Sequence, residues 1–243
     1  MLNMNFLLVA AFLFFAGSLI GWTIELVWRR FFSKNNPERK WINPGFLVGP
    51  YLPLYGFSLV ILFSLSFIDV SFIENFILQK AVLFVLMALC ITVFEFFAGL
   101  IFIKGMKIKL WDYSNCWGNI KGIICPLYSF FWYVMSALYY FIIHPKILNW
   151  LFWFTNHLSF SFVVGFFYGI FLIDCCYSLN IMNKIRRYAK ENKLAIHHAK
   201  FQQYISSLNR QRREKSHFWI STKIEGSTLA ESLKSFIEKI KKQ

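Results

Sequence analysis

Five stretches of this chain are long and apolar enough to need a bilayer, and that need limits the fold more than any motif does. A helix crossing the hydrocarbon core takes ~20 apolar residues. The first candidate runs from about Phe6 to Trp28 and carries no charge before Glu25. The others are Tyr51 to Ile68, Ala81 to Ile103 interrupted by Glu95, the charge-free Ile123 to Ile143, and Leu151 to Leu179 broken by Asp174. In lipid every backbone N–H and C=O has to find its partner inside the protein, so runs of this length are expected as helices. The fold class that follows is all-α, a polytopic integral membrane helix bundle of about five spans. The first run lacks a basic leading segment and an A-x-A cleavage site, and so reads as a retained span and not a signal peptide.

Composition agrees. Of 243 residues, 57% are hydrophobic and 21% aromatic, and the thirty phenylalanines exceed what a water-soluble core of this size can hide. Only 16% are charged, against ~25% in an ordinary soluble domain. The charge is lopsided, 26 Lys+Arg against 12 Asp+Glu, a formal +14. In a membrane protein that excess points to cytoplasmic loops and anionic lipid headgroups. It is not interleaved with aromatic residues on a recognisable nucleic-acid module, so no nucleic-acid partner is expected. The five cysteines (Cys90, Cys116, Cys125, Cys175, Cys176) include no C-x-x-C pair. Neither a metal site nor a disulfide framework is therefore expected.

The basic residues also orient the chain. Arg29, Arg30, Lys34, Arg39 and Lys40 lie between the first two runs, and Lys104, Lys107, Lys109 and Lys121 between the third and fourth. Fifteen more follow Ile181, leaving only Lys80 and Lys146 for the opposite side. The positive-inside rule then expects the amino terminus outside and the carboxyl terminus in the cytoplasm of a multi-pass cell-membrane protein. Two domains are expected: a transmembrane helical domain over 1–180 and a basic cytoplasmic helical tail over 181–243. In the tail, Phe201, Tyr204, Ile205 and Leu208 follow helical spacing, as do Leu229, Leu233, Phe236, Ile237 and Ile240. Thr228 and Glu231 form a capping box after Gly226-Ser227. Such helices are expected to rest on anionic headgroups; docking of a cytoplasmic partner is the other reading.

Three acids interrupt the apolar runs, and the expected orientation puts all of them in the inner half of the membrane. Each costs ~2.5–3.5 kcal/mol on insertion scales and should face a partner or a wet cavity. Glu25 has Arg29 one turn on, in the favourable order; an ion pair that merely ends the helix is the structural alternative. Ser18 and Gly21 share the face of Glu25, and Thr92 and Gly99 that of Glu95, small residues that let another backbone approach. Glu95 has no local base and is the first candidate for a functional group. Two loops meet the same side: "NPGFLVGPYLPLYG" at 43–56 and "WDYSNCWGNIKGIICP" at 111–126. Asn43 and Asp112 are turn and cap formers, while Trp111, Tyr113 and Trp117 suit the interface. Irregular backbone at membrane depth is tolerated only where protein buries it or where it lines a cavity. The first loop is expected to re-enter or cap the inner leaflet beside Glu25 and Glu95. Its prolines remove donors and its glycines allow close approach.

"GWTIELVWRR", "NPGFLVGPYLPLYG", Glu95 within "TVFEFFAG", "LWDYS", "NIKGIICPLYSFFW" and His144-Pro145 follow one another in this order. Together, over about Gly17 to Pro145, they resemble the bacterial ABC-transporter type IV family, labelled ABC-transporter permeases. The resemblance implies a permease component and emphasis on Glu25, Arg29, Asn43, Gly45, Gly49, Pro50, Tyr51, Pro53, Tyr55, Gly56, Glu95, Trp111, Asp112, Tyr113, Asn119 and Cys125. Pro44 and Leu52 depart from the pattern, standing where an Arg and a Cys-like residue are expected. All of the emphasised residues except Pro53, Tyr55 and Gly56 are the candidate ligand or functional site. No G-x-x-x-x-G-K-[ST] loop is present, so a permease would need a separate ATP-binding subunit. Five spans are few for a complete pathway, which suggests a homo- or hetero-oligomer. A non-transporting scaffold or accessory protein is the alternative, and then an intramembrane enzyme acting on an inner-leaflet lipid. There is no H-E-x-x-H and no G-x-S-x-G. No catalytic residue, metal or cofactor is assigned.

Overall fold

The computed structural model describes residues 5–191 except 34, 35, 37 and 107, together with Ile196 and His197. The tail helices expected from 201 onward, with their capping box, lie outside the described residues. The described chain is a helical membrane bundle: α1 (Phe6–Phe31), α2 (Pro53–Leu65), α3 (Phe76–Leu100), α4 (Pro126–Leu138), α5 (His144–Asn156) and α6 (Ser161–Glu191). Four helical stretches are long and apolar enough to cross a membrane: Phe6–Phe31, Phe76–Lys104, Pro126–Asn156 and Leu158–Asn180. Among the described residues the only strands are β1 (Ile108–Lys109) and β2 (Ile196–His197), which pair in parallel.

Local chemistry sets the helix ends. Asn5 caps α1 by accepting from the Leu7 amide, and Asn75 caps α3 by accepting from Ile77 and Leu78. At the far end of α1, Arg39 turns back in left-handed backbone (φ 50°) to donate to the carbonyls of Arg30 and Phe31. Pro53 and Pro126 open α2 and α4, where the missing N–H would have had no helical partner.

Two boundaries differ from the sequence expectation. His144-Pro145 does not end the fourth span: helix continues from Pro126 to Asn156, and the last span begins at Leu158 rather than Leu151. A proline inside an α-helix removes one bond and drives its ring into the carbonyl four residues back. Here the turn before it, Tyr139–Ile143, widens to a π-helix, which makes room for the ring. The second expected span, Tyr51 to Ile68, is a shorter apolar helix and not one of the four. α2 has 13 residues, about 20 Å at 1.5 Å per residue, against a ~30 Å hydrocarbon core. The irregular loop before it runs beside α1, its Leu52 amide bonded to the Ser18 carbonyl.

α1 and α2 pack closely because glycine lines both sides. A Cβ on Gly21 would lie 2.3 Å from the Tyr55 side chain, and one on Gly56 would lie 2.3 Å from Ser18 Oγ and 2.8 Å from the Phe14 carbonyl. Such small-residue contacts replace the hydrophobic drive that lipid cannot supply. α6 runs alongside α1 in the same direction, with Phe160 against Phe12 and Phe171 against Phe14 further along. α5 lies across the first half of α1, burying Ile147, Leu151 and Phe154 with Val9, Phe12 and Leu13.

Candidate functional site

The loop before α2 enters the bundle. The Leu52 amide donates to the Ser18 carbonyl at 3.0 Å, and Ser18 stands at the midpoint of α1. Asn43 builds the bend. Its Oδ1 accepts from Trp22 Nε1 (2.9 Å) and the Gly45 amide (3.1 Å), and its Nδ2 donates to the carbonyls of Leu47 and Val48. The chain then offers a row of donors to α6. Asp174 Oδ1 accepts from the Val48 amide (3.1 Å) and Ser178 Oγ (2.8 Å), and Oδ2 from the Gly49 amide (2.7 Å) and Tyr51 hydroxyl (2.5 Å). Four donors on two buried carboxylate oxygens fit an ionised acid, since charge-assisted bonds of this kind are the strong ones. Gly49 is required: a Cβ there would lie 2.3 Å from the Tyr51 ring. Pro50, between them, is exposed and offers no donor. A Cβ on Gly45 would lie 3.0 Å from Leu52 Cδ2.

The other two acids lie elsewhere in the bundle. Glu25 Oε1 accepts from Arg29 Nε at 2.9 Å, and its Oε2 accepts from the Tyr55 hydroxyl at 3.1 Å. Glu95, 4% exposed, accepts from the Tyr113 hydroxyl (3.1 Å) and from Trp132 Nε1 on α4 (2.9 Å). Its partners are neutral, and among the described residues it has no ion pair. One turn away Thr92 donates to Ser129, a second tie between α3 and α4. Tyr55, which donates to Glu25, also lies within electrostatic reach of Glu95.

The second loop holds Tyr113 in place. Its amide donates to Gly122 O (2.8 Å) and its ring stacks on Tyr128 at 4.1 Å. Burial, then the charge and hydrogen bond of Glu95, raise the pKa of its hydroxyl, so it stays a proton donor. Trp111 Nε1 donates to Ile123 O (2.9 Å). Asn119 donates to the carbonyls of Ser114 and Cys116 and accepts from the Gly122 amide. Gly122 has φ +66°, and a Cβ there would crowd Ser114 and Asp112. Burial acts to raise the pKa of Asp112, but the hydroxyl and amide of Ser114 and the ammonium of Lys109 outweigh it and hold the acid at about 2. Cys125, 3% exposed, is the residue before α4.

The candidate residues thus form two groups. Asn43, Gly45, Gly49, Pro50 and Tyr51 belong to the loop held by Asp174; Glu25, Arg29, Glu95 and Tyr113 belong to a cluster around Tyr55, buttressed by Trp111, Asp112, Asn119 and Cys125. The loop amides that reach an acid, those of Val48 and Gly49, go to Asp174 and not to Glu25 or Glu95. Asp174, Tyr55 and Trp132 join the site in the structure although none was among the candidate site residues. Asp174 was visible as an intramembrane acid with Ser178 one turn on. Trp132 closes the "NIKGIICPLYSFFW" stretch, but its bond to Glu95 depends on the packing of α4 on α3.

A family model described as "Putative ABC-transporter type IV" matches residues 12–179. The match takes in both loops and also Asp174 and Ser178, beyond the stretch in which the sequence motifs are concentrated. No curated protein and no solved structure matches the chain.

Proposed function

Because the chain belongs to the ABC-transporter type IV family, we propose that it is the membrane-embedded permease component of an ABC-type transporter, driven by a separate ATP-binding subunit. The observation that carries this reading is the loop at 43–52, irregular backbone seated against the midpoint of α1 with its amides on Asp174. Such backbone is tolerated at membrane depth only beside protein or a cavity. Around it the inner end of the bundle carries a polar site: Glu25 with Arg29 and Tyr55, and Glu95 with Tyr113 and Trp132. The distribution of Lys and Arg supports an amino terminus outside and a carboxyl terminus in the cytoplasm of the bacterial cell membrane. The two basic inner loops and the tail are then the surfaces on which an ATPase docks, and a second copy of the chain completes the pathway.

The test is extraction in mild detergent followed by co-purification and ATP hydrolysis. A nucleotide-binding partner should copurify, and its ATPase activity should change when the membrane chain is present. Glu95→Gln should keep abundance and association while abolishing coupled turnover, because the amide keeps the shape but cannot ionise. A chain that copurifies with no ATPase, and a Glu95→Gln variant with full activity in complementation, would leave a scaffold in place of a permease.

A further inference from the structure

We propose that the end of α1 binds the phosphate of an anionic phospholipid, with Arg30 as its cation and Trp41 as the ring on which that cation lies. The turn after α1 is built to hold this pair. Asn36, 6% exposed, donates through Nδ2 to the carbonyls of Arg29 (3.2 Å) and Lys40 (2.8 Å), and its Oδ1 accepts from the Lys40 amide (3.2 Å). Arg39 donates to the carbonyls of Arg30 and Phe31, so these helix-end acceptors are met without the Arg30 side chain. The chain thereby brings Trp41 back onto α1. The Arg30 guanidinium lies 4.2 Å from the centre of the Trp41 ring and 5.6 Å from that of Phe31, and the two rings meet edge to face. The nearby acids are engaged by other cations, Glu25 by Arg29 and Glu38 by Lys40. Among the described residues Arg30 has no ion pair. A guanidinium stacked on a ring keeps its N–H groups in its own plane, where they fork onto two oxygens of a phosphate.

Depth and surroundings make a lipid the carrier of that phosphate. Ser18 is the midpoint of α1, and Arg30 lies ~18 Å further along at 1.5 Å per residue. Half of a ~30 Å hydrocarbon core is ~15 Å. A span centred on Ser18 therefore carries Arg30 just beyond the hydrocarbon, where lipid phosphates lie. Ile20, Ile24, Val27 and Phe31 recur at helical spacing along one face of α1 and are all exposed, a strip on which the acyl chains of the same lipid can lie. Trp28 and Phe32, both exposed and stacked at 5.0 Å, flank the end of that strip, as aromatic rings do at headgroup level. Charge decides which lipid. With Glu25 and Glu38 paired, Arg30 and Arg39 are left in excess, so an anionic headgroup gains over a zwitterionic one. The site asks only that α1 span a membrane; it does not depend on whether the chain transports.

The full-length chain is reconstituted into phosphatidylcholine vesicles doped with photoreactive phosphatidylglycerol or, separately, photoreactive phosphatidylcholine, each with a diazirine near the headgroup end of an acyl chain. After irradiation and digestion, adducts on 20–41 are counted against those on α6, whose exposed Phe166 and Ile173 are a general lipid-facing reference. Taking that ratio keeps a loss of inserted protein from imitating a loss of the site. Phosphatidylglycerol should label 20–41 several-fold above phosphatidylcholine. Arg30→Gln should cut that excess roughly tenfold, the worth of one hydrogen bond to a charged group. Trp41→Leu, which removes the ring but no charge, should lower it as well, and Lys146→Gln on α5 should leave it unchanged. The proposal is overturned if the two lipids label 20–41 equally, or if Arg30→Gln or Trp41→Leu keeps the full excess. It is overturned too if Lys146→Gln removes as much as Arg30→Gln, which would leave a general attraction of a basic chain for an acidic membrane.

Discussion

At the scale of single residues, the two acids with the most hydrogen bonds make separable predictions. Asp174 has four donors on two oxygens. Asp174→Asn keeps the volume but puts an NH2 group against two of those donors. At ~1.5–3 kcal/mol for each bond to a charged group, the loss should be on the order of 3 kcal/mol or more. It should appear as a lower unfolding temperature in detergent and as faster proteolysis between 45 and 52. Unchanged stability would mean that the loop is held by its own turns. Asp112 differs because it titrates. Its pKa in the folded chain, about 2, lies below the 3.8 of a free aspartate. A depressed acid contributes stability that is complete above the unfolded value and is lost as pH falls from about 4 towards 2. Asp112→Asn should therefore be less stable than wild type at neutral pH, and the gap should close only below about pH 4. A gap that stays constant as pH falls would remove the charge from the account and leave shape alone.

At the scale of elements, what was legible depended on how local the cause was. Glu25 and Arg29 are one turn apart on one helix, so their 2.9 Å pair could be read from spacing. The prolines that open α2 and α4 likewise act on their own turn. The contact between Glu95 and Trp132 spans 37 positions and that between Gly49 and Asp174 spans 125; no local pattern carries such pairings, because they depend on which helix faces which. Pro145 misled for the converse reason. Its local effect is to break α-helix, yet the π turn before it absorbs the ring and the helix continues. The glycines show the same division. Gly21 and Gly56 sit where a Cβ would lie 2.3 Å from another side chain, whereas Gly165 and Gly169 have nothing within 4 Å. Gly21→Ala and Gly56→Ala should each cost about 1–3 kcal/mol by overpacking. Gly165→Ala should cost nothing. Thermal unfolding in detergent orders the three variants, and a comparable loss for Gly165→Ala would mean that another chain covers that face.

At the scale of the whole molecule, the number of crossings and their direction rest on different physics. The parallel course of α1 and α6, with α2, α3 and the α4–α5 stretch between them, places the two ends of the bundle on opposite sides once the helices span. Packing alone is silent about which side is the cytoplasm, because a bundle and its inverted copy are internally identical. The positive charges break that symmetry. They make the last prediction a test of charge and not of fold. Reporters inserted after Lys34 and Lys109, and in the tail beyond Ile181, should be cytoplasmic, while those at Glu74 and Pro145 should be external. Pro145 is informative because helix runs through it: His144 lies 3.2 Å from Ser66 Oγ, just past the end of α2, so this bend should face the same side as Glu74. External signal after Lys34 and Lys109 would invert the bundle and place Glu25 and Glu95 on the outer side. A Pro145 reporter on the same side as Lys109 would instead show that the stretch from Pro126 turns back within the membrane, leaving only four crossings and both chain ends on one side.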